Sequence, residues 1–348
     1  MHKKTESLKQ YARLIYQRTR KIGCQIIRKL KPMLETLRRY SVLLYQWLRD
    51  QLHTILRFCR AHWPGIRDRL QQYALLMRLD KPIGILLLLW PTLWALWIAA
   101  EGVPRTDVLL VFLLGVVLMR SAGCVLNDIA DRRIDPFVER TKNRPIARGT
   151  VTAAEALMVA LCLIFFAFLL VLTMNMLTIQ LAFVAVLLAG IYPFMKRYTY
   201  LPQFFLGLAF GWSIPMAFAA QTGSVPQIAW LLLIANILWS VVYDTMYAIA
   251  DREDDLKIGV KSTAILFDDA DRLIIARIQL LVLITLITVG HQAKLDMVFF
   301  YGVGVAACLF IYQLWLIKNR EPDRCIQAFK NNNWFGITIF TSLFLNYI

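Results

Sequence analysis

This 348-residue sequence predicts an all-α integral membrane protein with nine transmembrane helices behind a basic, amphipathic N-terminal helical extension. Three observations lead there. Hydrophobic side chains make up 58% of the chain, against about 45–50% in ordinary soluble domains. The excess is gathered in blocks long enough to cross a bilayer, which takes about 20 apolar residues. The connections between blocks also alternate in charge: those after spans two, four, six and eight carry fifteen Lys and Arg, and the others only Arg105 and Lys294. By the positive-inside rule the N-terminus and the even connections face the cytoplasm. Finally, of the net charge of +16, thirteen arise within residues 1–80. A basic leader ahead of the first span suits anionic lipid and argues against nucleic acid as a partner.

In chain order, residues 1–70 form one predicted unit and 71–348 the other. Apolar residues recur at helical spacing through the leader, at Leu8, Tyr11, Leu14, Ile22, Ile26, Leu30, Leu34 and Leu37, with Lys and Arg between them. That is the pattern of a helix lying in the membrane interface. Residues 41–60 repeat it, and Trp63-Pro64-Gly65 breaks it. The nine spans are expected near 83–100, 108–130, 152–172, 175–193, 202–220, 228–249, 273–290, 296–316 and 329–347. Six cysteines without a CxxC pair and four scattered histidines suggest neither disulfides nor zinc.

The chemistry lies in two acidic segments. Asn127-Asp128-Ile129-Ala130-Asp131-Arg132-Arg133-Ile134-Asp135 ends the second span, and on a helix its amide and three carboxylates share an arc of about 100°. Asp244, Asp251 and Asp255 are spaced by seven and four, again one stripe, at the end of the sixth span. Four crossings separate the segments, so both meet the same side of the membrane. Ionisable groups at membrane depth are functional by default, and oxygen-rich clusters of this kind suit Mg2+, a hard cation that keeps water and phosphate oxygens in its shell. Arg140, Lys142, Arg144, Arg148, Lys196 and Arg197 surround them. Metal-binding carboxylates amid such bases suit a diphosphate. Arg120, one helical face below Asn127, is read as a buried counter-ion for the carboxylates. Trp90, Trp94 and Trp97 form a helical stripe that packs or anchors in lipid.

The segments NDIADRRIDPFVERTKNRPIARG and YDTMYAIADREDDLKIGVKSTAILF, with YPFMKRYTYLPQFFLGLAFGWSIPMAF and MRLDKPIGILLLLWPTLWALW, resemble the UbiA superfamily of intramembrane prenyltransferases, in its 4-hydroxybenzoate branch. The resemblance covers about residues 72–348. It implies a central cavity open toward lipid and a polyprenyl diphosphate held by two Mg2+ ions, one on Asn127 and Asp131, the other on Asp251 and Asp255. It also implies that Asp135 sits near the acceptor phenol, that Lys196 belongs to a basic pair with Arg197, and that Arg197 grips the acceptor's carboxylate. Arg78, Arg140, Lys142 and Arg144 would meet substrate.

The reaction so implied is ionisation of the allylic diphosphate, then substitution on 4-hydroxybenzoate ortho to its hydroxyl, in ubiquinone biosynthesis. Tyr192, Tyr243 and Tyr247 are candidate shields of the cation. The alternatives are another aromatic acceptor (a naphthoate, homogentisate, haem or chlorophyllide precursor) and an ion-coupled transporter. The expected location is a bacterial inner membrane. The Arg-rich, acid-poor leader leaves the mitochondrial inner membrane as the alternative.

Overall fold

The computed structural model describes residues 39, 41–54, 57 and 65–348. They fall into two units, Met1–Arg69 and Leu70–Ile348. In the first, residues 41–54 are helical and expose Leu44, Leu48, Leu52 and Trp47. The expected amphipathic pattern from Leu8 to Leu37 lies outside the described residues.

In the second unit every regular element is a helix. Pro82 precedes α1 (Ile83–Ala100), which stops where Glu101 turns into the left-handed region at φ 50°. The next helix, α2 (Thr106–Ala130), ends at Asp131, whose amide still bonds the Asn127 carbonyl. Asp135 is therefore not on the helical stripe expected of it. The helix stops at Ala130, and after a turn Asp135 opens a short 3-10 element, Asp135–Phe137, with Pro136 in its first positions.

A reciprocal Thr152–Glu155 cap starts α3 (Ala153–Val171). The cap of α4 (Met176–Tyr198) is Asn175, and α4 runs beyond the expected 193 through Pro193, so that Lys196 and Arg197 lie in its last turn. The fifth span is broken in two at Trp212, into α5 (Pro202–Gly211) and α6 (Ser213–Thr222). Gly207 lets α5 close on its neighbour: a Cβ there would sit 3.0 Å from the Ile237 backbone.

That neighbour is α7 (Gln227–Ile258), which extends nine residues past the expected end at 249. The chain stays helical after its apolar stretch ends, because 250–258 lack a breaker until Gly259, at φ 77°. This extension carries Asp251 and Asp255. The rest comprises α8 (Thr263–Phe267), α9 (Asp271–Gln292), α10 (Met297–Leu316) and α11 (Pro322–Asn346). Among the described residues eight helical segments are long and apolar enough to cross a membrane. The ninth expected span, 329–347, falls within α11, but α11 carries Asp323 and Arg324 ahead of that stretch and Lys330 and three asparagines at its start, and it does not meet that standard of composition.

Those asparagines lock the core. Trp239 Nε1 of α7 donates to Asn332 Oδ1 at 2.8 Å, Trp90 Nε1 of α1 to Asn333 at 2.9 Å, and Gln313 Nε2 of α10 to Asn331 at 3.0 Å. Successive residues on a helix point about 100° apart, so three in a row reach three helices. The tryptophan stripe of α1 is packing: Trp94 rests on Trp239 and Phe335, and Trp97 on Phe340. Replacing Asn332 by Leu leaves a buried indole donor unpaired. It should cost about 1–3 kcal/mol, measured as lowered thermal stability in detergent.

The four even connections meet at one end of the bundle. Lys196 of α4 pairs with Asp131 at 2.5 Å, and Arg140 after α2 pairs with Asp251 of α7. Buried Asp271, at the start of α9, takes Arg252 at 2.5 Å and Arg320, after α10, at 3.0 Å. The even crossing count between the two acidic segments thus brings them together, as the charge alternation requires.

Candidate active site

Two cavities adjoin within the bundle. The polar one, about 230 Å3, opens at the charged end and is lined by Asn127, Asp131, Asp135, Asp244, Asp251 and Asp255, with Arg78, Arg140, Arg144, Lys196 and Lys261 among them. The apolar one, about 370 Å3, lies between α2, α3, α4, α5 and α6 and is walled by side chains such as Phe112, Ile164, Phe168 and Phe183. Arg120, Tyr192 and Phe210 line both and mark the junction. Most of the outward surface of α3 and α4 is unburied apolar side chain, so the apolar cavity lies on the lipid side.

Asp131 is 2% exposed. Its Oδ2 accepts from Lys196 Nζ at 2.5 Å and Asn127 Nδ2 at 3.1 Å, while its Oδ1 is buried without a partner. Opposite it, Asp251 accepts Arg140 through both oxygens, with the Nε–Oδ1 distance at 3.0 Å. The Arg140 guanidinium lies over the Tyr247 ring, 4.2 Å from its centroid. Asp255, one turn on, faces the same cavity.

Asp135 gives both oxygens to Arg144 Nη1, at 2.9 and 2.8 Å. Burial pushes its carboxyl above the ordinary range, with Arg144 opposing and Asp131 and Asp128 adding to the effect. Its oxygens are thereby committed to an arginine, a placement the sequence alone does not reveal. Burial opposes the charge on Arg78, but the Asp128 carboxylate, with smaller contributions from Cys124 and Tyr192, offsets it, so its pKa is raised.

Two expected contacts lie elsewhere. Lys142 is exposed and pairs with Glu139 at 2.6 Å, and it does not line the cavity. Nor does Arg197, which is exposed, donates to the Ala130 carbonyl at 2.5 Å and stacks on Phe194. Adjacent residues on α4 diverge by about 100°, so with Lys196 turned inward Arg197 is turned out. Tyr192, Tyr243 and Tyr247 all line the polar cavity.

Arg120 acts on the carboxylates at a distance, its charge reaching Asp244, and not through a direct ion pair. Among the described residues no carboxylate pairs with it. Its Nη1 meets Cys124 Sγ at 2.7 Å, its guanidinium lies 5.3 Å from the Phe210 ring centre, and its Nε is buried with no partner. Gly84 of α1 makes room for it, since a Cβ there would fall 2.5 Å from Arg120 Nε. Arg120 is thus half-buried with no direct carboxylate partner among the described residues, so its charge is open to an anion in the cavity. Asp244 and Gly84 also belong to the wall of the cavity. The seven-residue spacing of Asp244 from Asp251 signals its placement, whereas nothing in the sequence signals that of Gly84.

Among the described residues no three His, Cys, Asp or Glu side chains converge on one point, so a cation here would be held by pairs. The Asn127–Asp131 and Asp251–Asp255 pairs can offer three carboxylates and one amide oxygen, and Asp131 Oδ1 is a buried acceptor without a partner among the described residues. That donor set fits a hard divalent ion whose remaining ligands are water and phosphate.

Comparison with known proteins agrees with this architecture. The model of the "UbiA prenyltransferase family" matches residues 88–342. A 4-hydroxybenzoate octaprenyltransferase of Saccharophagus degradans is 57% identical over 281 residues, 81% of this chain and 94% of that one. Among solved structures, an apo UbiA homolog from Aeropyrum pernix K1 has a TM-score of 0.68 at 22% identity, covering 76% of this chain and 98% of that one. A UbiA homolog from Archaeoglobus fulgidus bound to GPP and Mg2+ has a TM-score of 0.59 at 16% identity, covering 79% and 99%. On the extent of the family match and the identity shared across most of both chains, this chain belongs to the UbiA prenyltransferase family.

Proposed function

We propose that this protein transfers a polyprenyl group from its diphosphate to the ring carbon of 4-hydroxybenzoate ortho to the hydroxyl, releasing diphosphate, as a step of ubiquinone biosynthesis. The observation that carries this reading is the junction itself: a charged cavity fit for a diphosphate opens, past Arg120, Tyr192 and Phe210, into an apolar cavity facing lipid. A hydrocarbon tail can lie in the second while its head lies in the first. The name shared by relatives at 57% identity supplies the acceptor.

Asn127 with Asp131 and Asp251 with Asp255 are the pairs that would hold magnesium. Bound there, Mg2+ supplies charge to the diphosphate oxygens. Arg78, Arg140, Arg144 and Lys196 bind the same head group and stabilise the charge that gathers on it as the allylic C–O bond breaks. The rings of Tyr192, Tyr243 and Tyr247 face the cavity in which the allylic cation forms, and the apolar helices above exclude water from it. Arg120, unpaired and between the two cavities, is the group we assign to the acceptor's carboxylate, in place of Arg197. A guanidinium can hold a carboxylate through two parallel hydrogen bonds, and this fixes which ring carbon faces the cation.

The reading places the chain in a bacterial cytoplasmic membrane, with the cavity mouth on the cytoplasmic side set by the basic connections. Membranes containing the protein, incubated with labelled 4-hydroxybenzoate, magnesium and polyprenyl diphosphates, should yield a lipid-soluble prenylated 4-hydroxybenzoate. A chelator should stop its formation. Labelled product from homogentisate or a naphthoate, and none from 4-hydroxybenzoate, would reject the acceptor.

A further inference from the structure

Asp128 stands next to Asn127 in the first acidic segment, yet it is not part of the cavity wall. It is 1% exposed and sits behind that wall, where its Oδ1 accepts Arg78 Nη2 at 2.7 Å and lies 3.1 Å from Arg144 Nη1. Both arginines do line the cavity. Arg144 reaches on to Asp135, so the four side chains run Arg78, Asp128, Arg144, Asp135 with alternating charge.

The backbone at Arg78 points the same way. Residues 70–76 are helical and close with a left-handed residue, the Arg78 amide bonding the Leu75 carbonyl and the Leu79 amide that of Ala74. Arg78 has φ 55°, at a position where glycine or asparagine ordinarily ends a helix. An arginine there carries backbone strain, and its side chain is the one that Asp128 grips.

We propose that Asp128 is a positioning residue for the reaction: it holds Arg78 and Arg144 side by side as a two-guanidinium cradle for the diphosphate, and is not a metal ligand. Two guanidinium groups turned toward one small cavity repel each other, and a shared buried carboxylate sets both in place before substrate arrives. Guanidinium groups already fixed lose less freedom on binding phosphate. Asp128 is suited to this because one helical step turns it about 100° from Asn127, behind the wall, where a metal ion in the cavity does not reach it. The inference rests on the reading of the polar cavity as a diphosphate site.

The test uses full-length protein in detergent, with magnesium and inorganic pyrophosphate as the binding probe and Asp128→Asn and Asp128→Glu as variants. Asp128→Asn should weaken pyrophosphate binding and raise the KM for polyprenyl diphosphate by about ten- to a hundredfold, the loss of one to two charge-assisted hydrogen bonds. The half-saturating magnesium concentration and the KM for the acceptor should stay where they are. Asp128→Glu keeps the charge but displaces it, and should fall between Asn and the native residue. Should the Asn protein not be recovered folded, the Glu protein is measured in the same way. Native pyrophosphate affinity in the variant measured overturns the proposal, and so does a raised magnesium requirement with native affinity at high magnesium, which would make Asp128 a metal ligand. The wider reading fails separately: native protein that binds pyrophosphate but prenylates no 4-hydroxybenzoate removes the acceptor assignment and leaves the Asp128 cradle standing. Native protein blind to magnesium pyrophosphate removes both.

Discussion

Replacing Asp131 by Asn is expected to reduce prenyl transfer by at least about a hundredfold, the scale seen when one preorganised electrostatic group is removed from an active site. The substitution is close to isosteric, so the fold should survive it. What it removes is the charge of a carboxylate with one oxygen gripped by Lys196 and the other buried without a partner. Asp251→Asn should act in the same way from α7, releasing Arg140 as well. The measurement is initial rate against magnesium concentration. Because each metal would be held by only two side chains, part of the loss should be recovered at high magnesium. A variant with near-native rate at limiting magnesium would count against the metal assignment. So would an equal loss across all magnesium concentrations in a protein of native stability.

The second large effect separates two arginines. Arg120→Ala should raise the KM for 4-hydroxybenzoate by about ten- to a hundredfold, the worth of a charged hydrogen-bonded contact, and leave the KM for polyprenyl diphosphate little changed. Against 4-hydroxybenzamide, which lacks the carboxylate, the same variant should lose much less, and Arg120→Lys should recover part of the deficit. Arg197→Ala should keep most of the native activity, because its guanidinium is exposed and spent on the Ala130 carbonyl and the Phe194 ring. The reverse outcome, native KM in Arg120→Ala and a large loss in Arg197→Ala, restores the assignment suggested by the sequence. Gly84→Ala gives an independent reading, since its methyl group would occupy the space of the Arg120 guanidinium. It should raise the acceptor KM without touching the arginine itself.

Several of these residues show where one-dimensional reading succeeds. Apolar runs mark the helices long enough to cross a bilayer, and the alternation of basic connections groups the charged ends together, because both follow from transfer between water and lipid, which acts segment by segment. The same even crossing count put Asp131 and Asp251 at one end of the bundle, and their ion pairs with Lys196 and Arg140 lie there. Asp135 shows the limit. Its place on the acidic stripe assumed that α2 continued, whereas α2 stops at Ala130 and Asp135 lies in a later turn where Arg144 takes both its oxygens.

The amino-acid sequence by itself determined that this is a multi-pass helical membrane protein with two acidic segments on one side, since hydropathy, charge alternation and spacing are properties of each stretch alone. Only the tertiary structure decided which bases line the polar cavity. Lys196 faces in and Arg197 out, Arg120 stands at a cavity junction with no ion-pair partner among the described residues, and Asp128 turns behind the wall to hold Arg78 and Arg144. The physical reason is that a charged side chain's role depends on which partner lies within a few ångströms of it. That is settled by the rotation and packing of helices remote in the chain.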